Sequence, residues 1–156
     1  MDVLLTVNEY GVLENAEFDD IAGLDVEPDF EDVVDIIHRT TVVIPCSVTR
    51  IGDRAFHDKR WLLGAIIPSS VTSIGNDAFS DCYYMESVTI PGSVAIIGSR
   101  AFRYCEGLAS VVIMNETTLI AGDAFFGCSE ALTIRARKGS SAERHAAENA
   151  LRFEPI

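Results

Sequence analysis

The sequence predicts an α/β, strongly β-rich solenoid of 23-residue repeats closed by terminal caps. Three observations carry that prediction. A block reading I-P-x-S-V-T-x-I-G-x-x-A-F opens at Ile44-Pro45, Ile67-Pro68 and Ile90-Pro91, and a fourth copy without the proline opens at Ile113-Met114. The positions that recur are apolar, so stacked copies would bury one continuous column. The flanking segments, 1–40 and 135–156, do not share the period. A fixed step of roughly 20 to 50 residues marks units that cannot bury an apolar side alone and must stack.

The rows of that column can be read off directly. Ile44, Ile67, Ile90 and Ile113 form one, joined by Ile134 after a shortened step. Val48, Val71 and Val94 form another, with Thr117 in the fourth copy. Ile51, Ile74, Ile97 and Ile120 form a third. Phe56, Phe79, Phe102 and Phe125 form a fourth, each preceded by alanine. Leu62, Met85 and Leu108 form a fifth, with Leu132 displaced. Each copy reads as two short strands, such as Ser87–Ile90 and Val71–Ile74, from their alternation and β-branched residues. Proline after the isoleucine ends the strand because it cannot donate to a ladder. Gly52, Gly75 and Gly98, with Gly122 in the fourth copy, are expected to permit a positive φ or a tight turn.

The ends read differently. In residues 1–40, Thr6–Leu13 suggests a hairpin turning near Glu9–Gly11, and Phe30, Val33, Val34 and Ile37 suggest a short helix over 29–38. Together they would cover the first coil of the repeats at 41–134. In 135–156, Ser140 and Glu143 form a capping box for a helix over Ala142–Ala150, followed by a strand at Leu151–Phe153. A polar terminal element is what an open solenoid end requires.

Charge separates these parts. Residues 1–40 hold twelve acids and one base, for a net −11, whereas 41–156 carry twelve acids and eleven bases. The acidic leader reads as a solubilising cap or as a docking surface for a basic partner or calcium, although no D-x-D-x-D-G loop occurs. Nucleic acid is excluded by the acidic leader and the absence of a basic stripe. No run approaches the roughly 20 apolar residues of a membrane helix. Met1–Thr6 lacks the basic and apolar regions of a secretory signal, which fits a cytoplasmic chain or one whose signal has been removed.

Residues Ser87–Cys105 and Gly139–Asn149 closely resemble the BspA-like class of bacterial leucine-rich repeats, and the resemblance covers about residues 42–156. It implies a right-handed leucine-rich-repeat solenoid on a cell surface or secreted, used for binding rather than catalysis. The characterised relatives are adhesins for host matrix proteins. This chain departs from the pattern at Met114, at Thr117, and at Trp61–Ile66 in place of L-x-S-V-T.

Candidate chemistry is sparse. Cys82, Cys105 and Cys128 lie one period apart and would stack about 5 Å apart. They read as packed thiols, with a disulfide or a metal as alternatives. Cys46 reads as a free thiol at a turn. His38, His57 and His145 fall at no motif spacing and read as surface residues. No G-x-S-x-G, Ser-His-Asp arrangement or phosphate loop is apparent. Asp53, Asp77 and Asp123 read as turn caps. No catalytic residue, metal or cofactor is therefore expected. The candidate binding surface is a concave-face patch of Trp61, Leu63, Ile66, Tyr83, Tyr84, Glu86, Thr89, Tyr104 and Val112, since Trp and Tyr are favoured interface anchors; the alternative is that Trp61 folds over the edge of the core and the tyrosines shield neighbouring turns. The expected function is a non-enzymatic, adhesin-like module that binds protein, such as a host extracellular protein, without membrane insertion. A structural spacer and a carbohydrate-binding module are the alternatives.

Overall fold

The computed structural model describes residues 3–9, 11–18 and 39–156. The chain forms a β-solenoid of about five turns. Its first sheet orders β1-β2-β4-β6-β8-β10: Val3–Val7, Val12–Phe18, Arg50–Ile51, Ser73–Ile74, Ile96–Ile97 and Leu119–Ile120. Its second orders β12-β11-β9-β7-β5-β3: Arg152–Pro155, Thr133–Ala136, Ser110–Ile113, Ser87–Ile90, Leu62–Ile66 and Thr40–Val43. All pairings are parallel except the β1–β2 hairpin. In that hairpin, Asn8 accepts from the Val12 N–H through Oδ1, and Gly11 takes a φ of 72°. β2 then lies parallel to β4, with Leu13 opposite Ile51. The helix expected over 29–38 lies outside the described residues.

The core is the stack of periodic rows. Phe56, Phe79, Phe102 and Phe125 lie ring over ring, with centroids 4.8, 5.1 and 5.3 Å apart and planes within 10°. Those spacings are close to the strand-to-strand distance, so the coil rise sets the aromatic stacking. In the first three coils the proline carbonyl accepts from the valine three residues on, at Pro45–Val48, Pro68–Val71 and Pro91–Val94.

The fourth coil corrects one row. Thr117 is exposed, and Thr118 takes the buried valine position. Without proline, Asn115 builds the turn instead, its Oδ1 accepting from the Thr117 N–H at 2.9 Å. That slips the chain by one residue, and the Thr118 hydroxyl is satisfied by donating to the Val94 carbonyl at 2.9 Å.

The glycine row is also corrected. Gly52, Gly75 and Gly98 have no positive φ; they are small because the preceding coil touches them. A Cβ on Gly75 would lie 2.7 Å from the Asp53 backbone nitrogen, and one on Gly98 would lie 2.8 Å from that of Asn76. The left-handed positions belong to larger residues: Arg54, Asp77 and Arg100 in one row, and Asp58, Asp81 and Tyr104 in another that ends at Gly127.

The last helix, α1 (Ser141–Glu148), has Ser140 as its N-cap, accepting from the Glu143 N–H. It ends two residues short of the expected Ala150. The Glu143 carboxylate accepts from the Gly139 N–H at 2.5 Å, one residue before the position a capping box would use.

Candidate interaction surface

The strands of the second sheet alternate buried and outward residues, and the parallel register aligns them. One outward row runs Val43, Ile66, Thr89, Val112, Arg135 and Glu154. A second runs Thr41, Gly64, Ser87, Ser110, Thr133 and Arg152. The first begins apolar, with Val43 65% and Ile66 56% exposed. It ends charged, where Arg135 Nε lies 3.0 Å from Glu154. Gly64 interrupts the second row and leaves a depression of about 450 Å³, lined by Thr41, Leu63, Ile66, Glu86, Ser87 and Thr89 among others.

The expected patch therefore divides. Ile66, Glu86 and Thr89 are exposed, and Leu63 and Val112 are half-buried on the same face. Trp61 is not available there, because it is 6% exposed and packed into the core. Tyr83, Tyr84 and Tyr104 are half-buried, and an arginine covers a face of each ring. The guanidinium of Arg39 lies 3.5 Å from the Tyr84 centroid, that of Arg60 5.2 Å from Tyr83, and that of Arg103 4.4 Å from Tyr104. Tyr104 also meets Phe126 edge-on at 5.9 Å.

The 23-residue step assembles one group that a reading by sequence motif passes over. Residues 57 and 80 share a coil position, so His57 Nδ1 sits 2.6 Å from Ser80 Oγ, and Asp81 Oδ2 is 3.6 Å from the same nitrogen. A serine, histidine and aspartate do meet, contrary to the sequence reading. Both partners address one ring nitrogen, and Ser80 is 1% exposed, so the geometry is not that of a relay to an accessible nucleophile. His145 is likewise no surface residue: it is buried at the end of the phenylalanine stack.

The carboxylates before Ala-Phe act between coils. Asp53 Oδ1 accepts from the Asn76 N–H at 2.7 Å, and Asn76 Oδ1 from the Ser99 N–H at 2.9 Å. Asp123 accepts from the Ser99 hydroxyl and the Arg100 N–H, which holds its carboxyl below the usual range, the hydroxyl bond contributing most. Asp77 pairs with Arg100 at 3.2 Å.

The cysteine row is free thiol. Cys82, Cys105 and Cys128 donate to the carbonyls of Phe56, Phe79 and Phe102 at 3.0, 3.1 and 3.0 Å, and Cys46 is exposed. Burial pushes Cys82 and Cys128 up to about 12, and Cys105 well above its ordinary value. Among the described residues no group of three or more His, Cys, Asp or Glu side chains is placed to hold a metal, and no helix is long and apolar enough to cross a membrane.

Comparison with known proteins places this geometry. A family model described as BspA type leucine rich repeat region matches residues 36–145 in 6 copies. A leucine-rich repeat protein from Bacteroides capillosus is similar in structure, with a TM-score of 0.63, 23% identity, and 86% of this chain and 94% of that one covered. The T. pallidum leucine rich repeat protein TpLRR gives 0.59 at 17% identity, over 85% and 68% of the two chains. A leucine rich cell surface protein from Faecalibacterium prausnitzii gives 0.51 at 17% identity, over 86% and 43%. None of the curated proteins matches the chain.

Proposed function

We propose, for a chain that belongs to the BspA type leucine-rich repeat family, that it is a non-enzymatic protein-binding module of a bacterial cell-surface or secreted protein. Its contact surface is the outer face of the second sheet. One observation carries this reading: Val43, Ile66, Thr89 and Val112 stand in register as a β-branched outward row beside the depression over Gly64. An ordered, rigid apolar row flanked by polar positions such as Glu86 and Ser87 suits a partner protein, because little side-chain freedom is lost on contact. Surface location is supported by the Faecalibacterium relative, described as a cell surface protein. The tyrosines favour protein over carbohydrate, since a guanidinium already lies over one face of each ring and reduces the aromatic surface open to a sugar.

The test is binding to a panel of host extracellular matrix proteins by biolayer interferometry. The wild type binds at least one member. The double variant Ile66→Lys/Thr89→Glu weakens that binding at least tenfold with its urea midpoint unchanged, because both side chains point away from the core. Equal binding by the variant rules out this face. Failure of the wild type on the whole panel rules out the adhesin role.

A further inference from the structure

In the turn around and after each phenylalanine, the coils are joined by a ladder that runs one way. The N–H groups of Phe56, Phe79 and Phe102 donate to the carbonyls of Ala78, Ala101 and Ala124 in the next coil at 2.7, 2.7 and 2.8 Å. Those of Asp58, Asp81 and Tyr104 donate to Ser80, Arg103 and Phe126 at 2.9, 2.7 and 2.9 Å. One step further along the stack, Phe125 and Gly127 have no hydrogen-bond acceptor for their N–H groups among the described residues. One period on, residues 148 and 150 fall at the end of α1 and just past it, and a helix cannot present carbonyls at alternate positions along an extended line.

A cavity of about 460 Å³ opens at that interrupted edge, lined among others by Gly122, Phe126, Gly127, His145, Asn149 and Leu151. Three further features mark it. Phe126 is 60% exposed. His145 is 5% exposed, and its Nε2 has no hydrogen-bond partner. Gly122 occupies the coil position where Asp53 and Asn76 carry the side chains that cap the next coil, and a Cβ there would meet nothing within 4 Å.

We propose that this cavity takes an extended peptide segment of another molecule, which continues the turn ladder. Two of its carbonyls, two residues apart, accept from Phe125 and Gly127 as Ala78 and Ser80 accept from Phe56 and Asp58. Main-chain hydrogen bonds of this kind supply affinity, and alternate side chains supply selectivity. The peptide residue facing the phenylalanine stack must be small, because the His145 ring already closes that end. A neighbouring residue can be apolar, against Phe126. This site rests on the turn ladder and not on the outer face of the second sheet, so either can fail without the other.

The probe is a synthetic peptide copying residues 99–105, with alanine at the phenylalanine and cysteine positions. It is titrated into the full chain while backbone amide shifts are followed by NMR. Saturable shifts are expected at Phe125 and Gly127. They are expected to be lost in Gly122→Phe, which fills the cavity and leaves the urea midpoint unchanged. Gly122→Asn is expected to do the opposite and tighten the same shifts, because it supplies the acceptor that Asn76 offers to the Ser99 N–H; if the larger ring disturbs the coil this variant carries the test, and unchanged or weaker binding by it overturns the proposal. Absence of shifts at these amides, or shifts that persist in the filled variant, overturns the proposal. So do shifts at these amides that grow with protein concentration when no peptide is present, since they assign the edge to a second copy of the chain.

Discussion

The imidazole of His145 meets the ring of Phe125 edge-on, with centroids 5.7 Å apart and planes at 66°. The contact turns the aromatic stack from parallel to perpendicular and so ends it. Burial holds the ring neutral by lowering its pKa below 6.5, only partly opposed by Glu148. In the unfolded chain the same ring takes a proton near its ordinary value. Below that value the unfolded state binds more protons than the folded one, so acid favours unfolding. Stability is therefore expected to fall as pH drops from 6.5 toward the lowered value, and to change no further from this residue below it. In His145→Phe that portion of the slope disappears. Thermal denaturation of both proteins between about pH 7 and pH 5 checks it, and parallel profiles would show that the histidine does not couple to folding.

Thiol reactivity is expected to separate Cys46 from the rest. Cys46 is exposed, whereas Cys82 and Cys105 are buried, Cys128 is half-buried, and each of these three donates its S–H to a phenylalanine carbonyl of the preceding coil. Raised thiol pKa values leave almost no thiolate at neutral pH, and the thiolate is the reactive form. Titration of the native protein with an aromatic disulfide reagent should therefore release one equivalent rapidly, and four after denaturation. Rapid release of two or more from the native chain contradicts the packing.

What was legible in the sequence was whatever repeats. The phenylalanine, isoleucine and cysteine rows follow from the period, because identical neighbours at a constant step must share an environment. Two kinds of feature were not. Trp61 is an aromatic at an edge position, and sequence alone does not say whether such a ring lies over the core or on it. Thr118 takes its place through a one-residue slip that Asn115 makes possible, and a strict 23-residue alignment hides it. His57 with Ser80 was legible in principle, since any two residues one period apart are neighbours, but no motif vocabulary is written at that spacing.

Phenylalanine stacking is expected to act cooperatively. Phe79 has a parallel ring on each side, at 4.8 and 5.1 Å, and is fully buried. Phe79→Ala should cost about 3–5 kcal/mol, combining lost transfer energy with the cavity left between two rigid rings. Phe79→Ala with Phe102→Ala should show a coupling of about 0.5–1.5 kcal/mol, since one shared contact is removed twice in the single variants. Urea denaturation of the four proteins measures both quantities. Strict additivity would mean that the rings are neighbours without mutual stabilisation.

Two glycines of similar sequence context should respond in opposite ways to alanine. At Gly75 the new methyl would lie 2.7 Å from the Asp53 nitrogen and 2.7 Å from the Gly52 carbonyl carbon. Both are backbone atoms of the preceding coil, so relief requires the coils to part and the bonds from Asn76 to Asp53 and from Gly75 to Ile51 to lengthen. Overpacking of this kind costs about 1–3 kcal/mol. At Gly122 the methyl meets nothing within 4 Å, and φ is not in the left-handed region. Gly122→Ala should stay within about 0.5 kcal/mol of the wild type. If the row served positive φ instead of close approach, Asp81→Gly and Gly75→Ala would report on the same strain. Asp81, at φ 62°, should instead tolerate glycine with little change or a small gain, while Gly75→Ala lowers the urea midpoint.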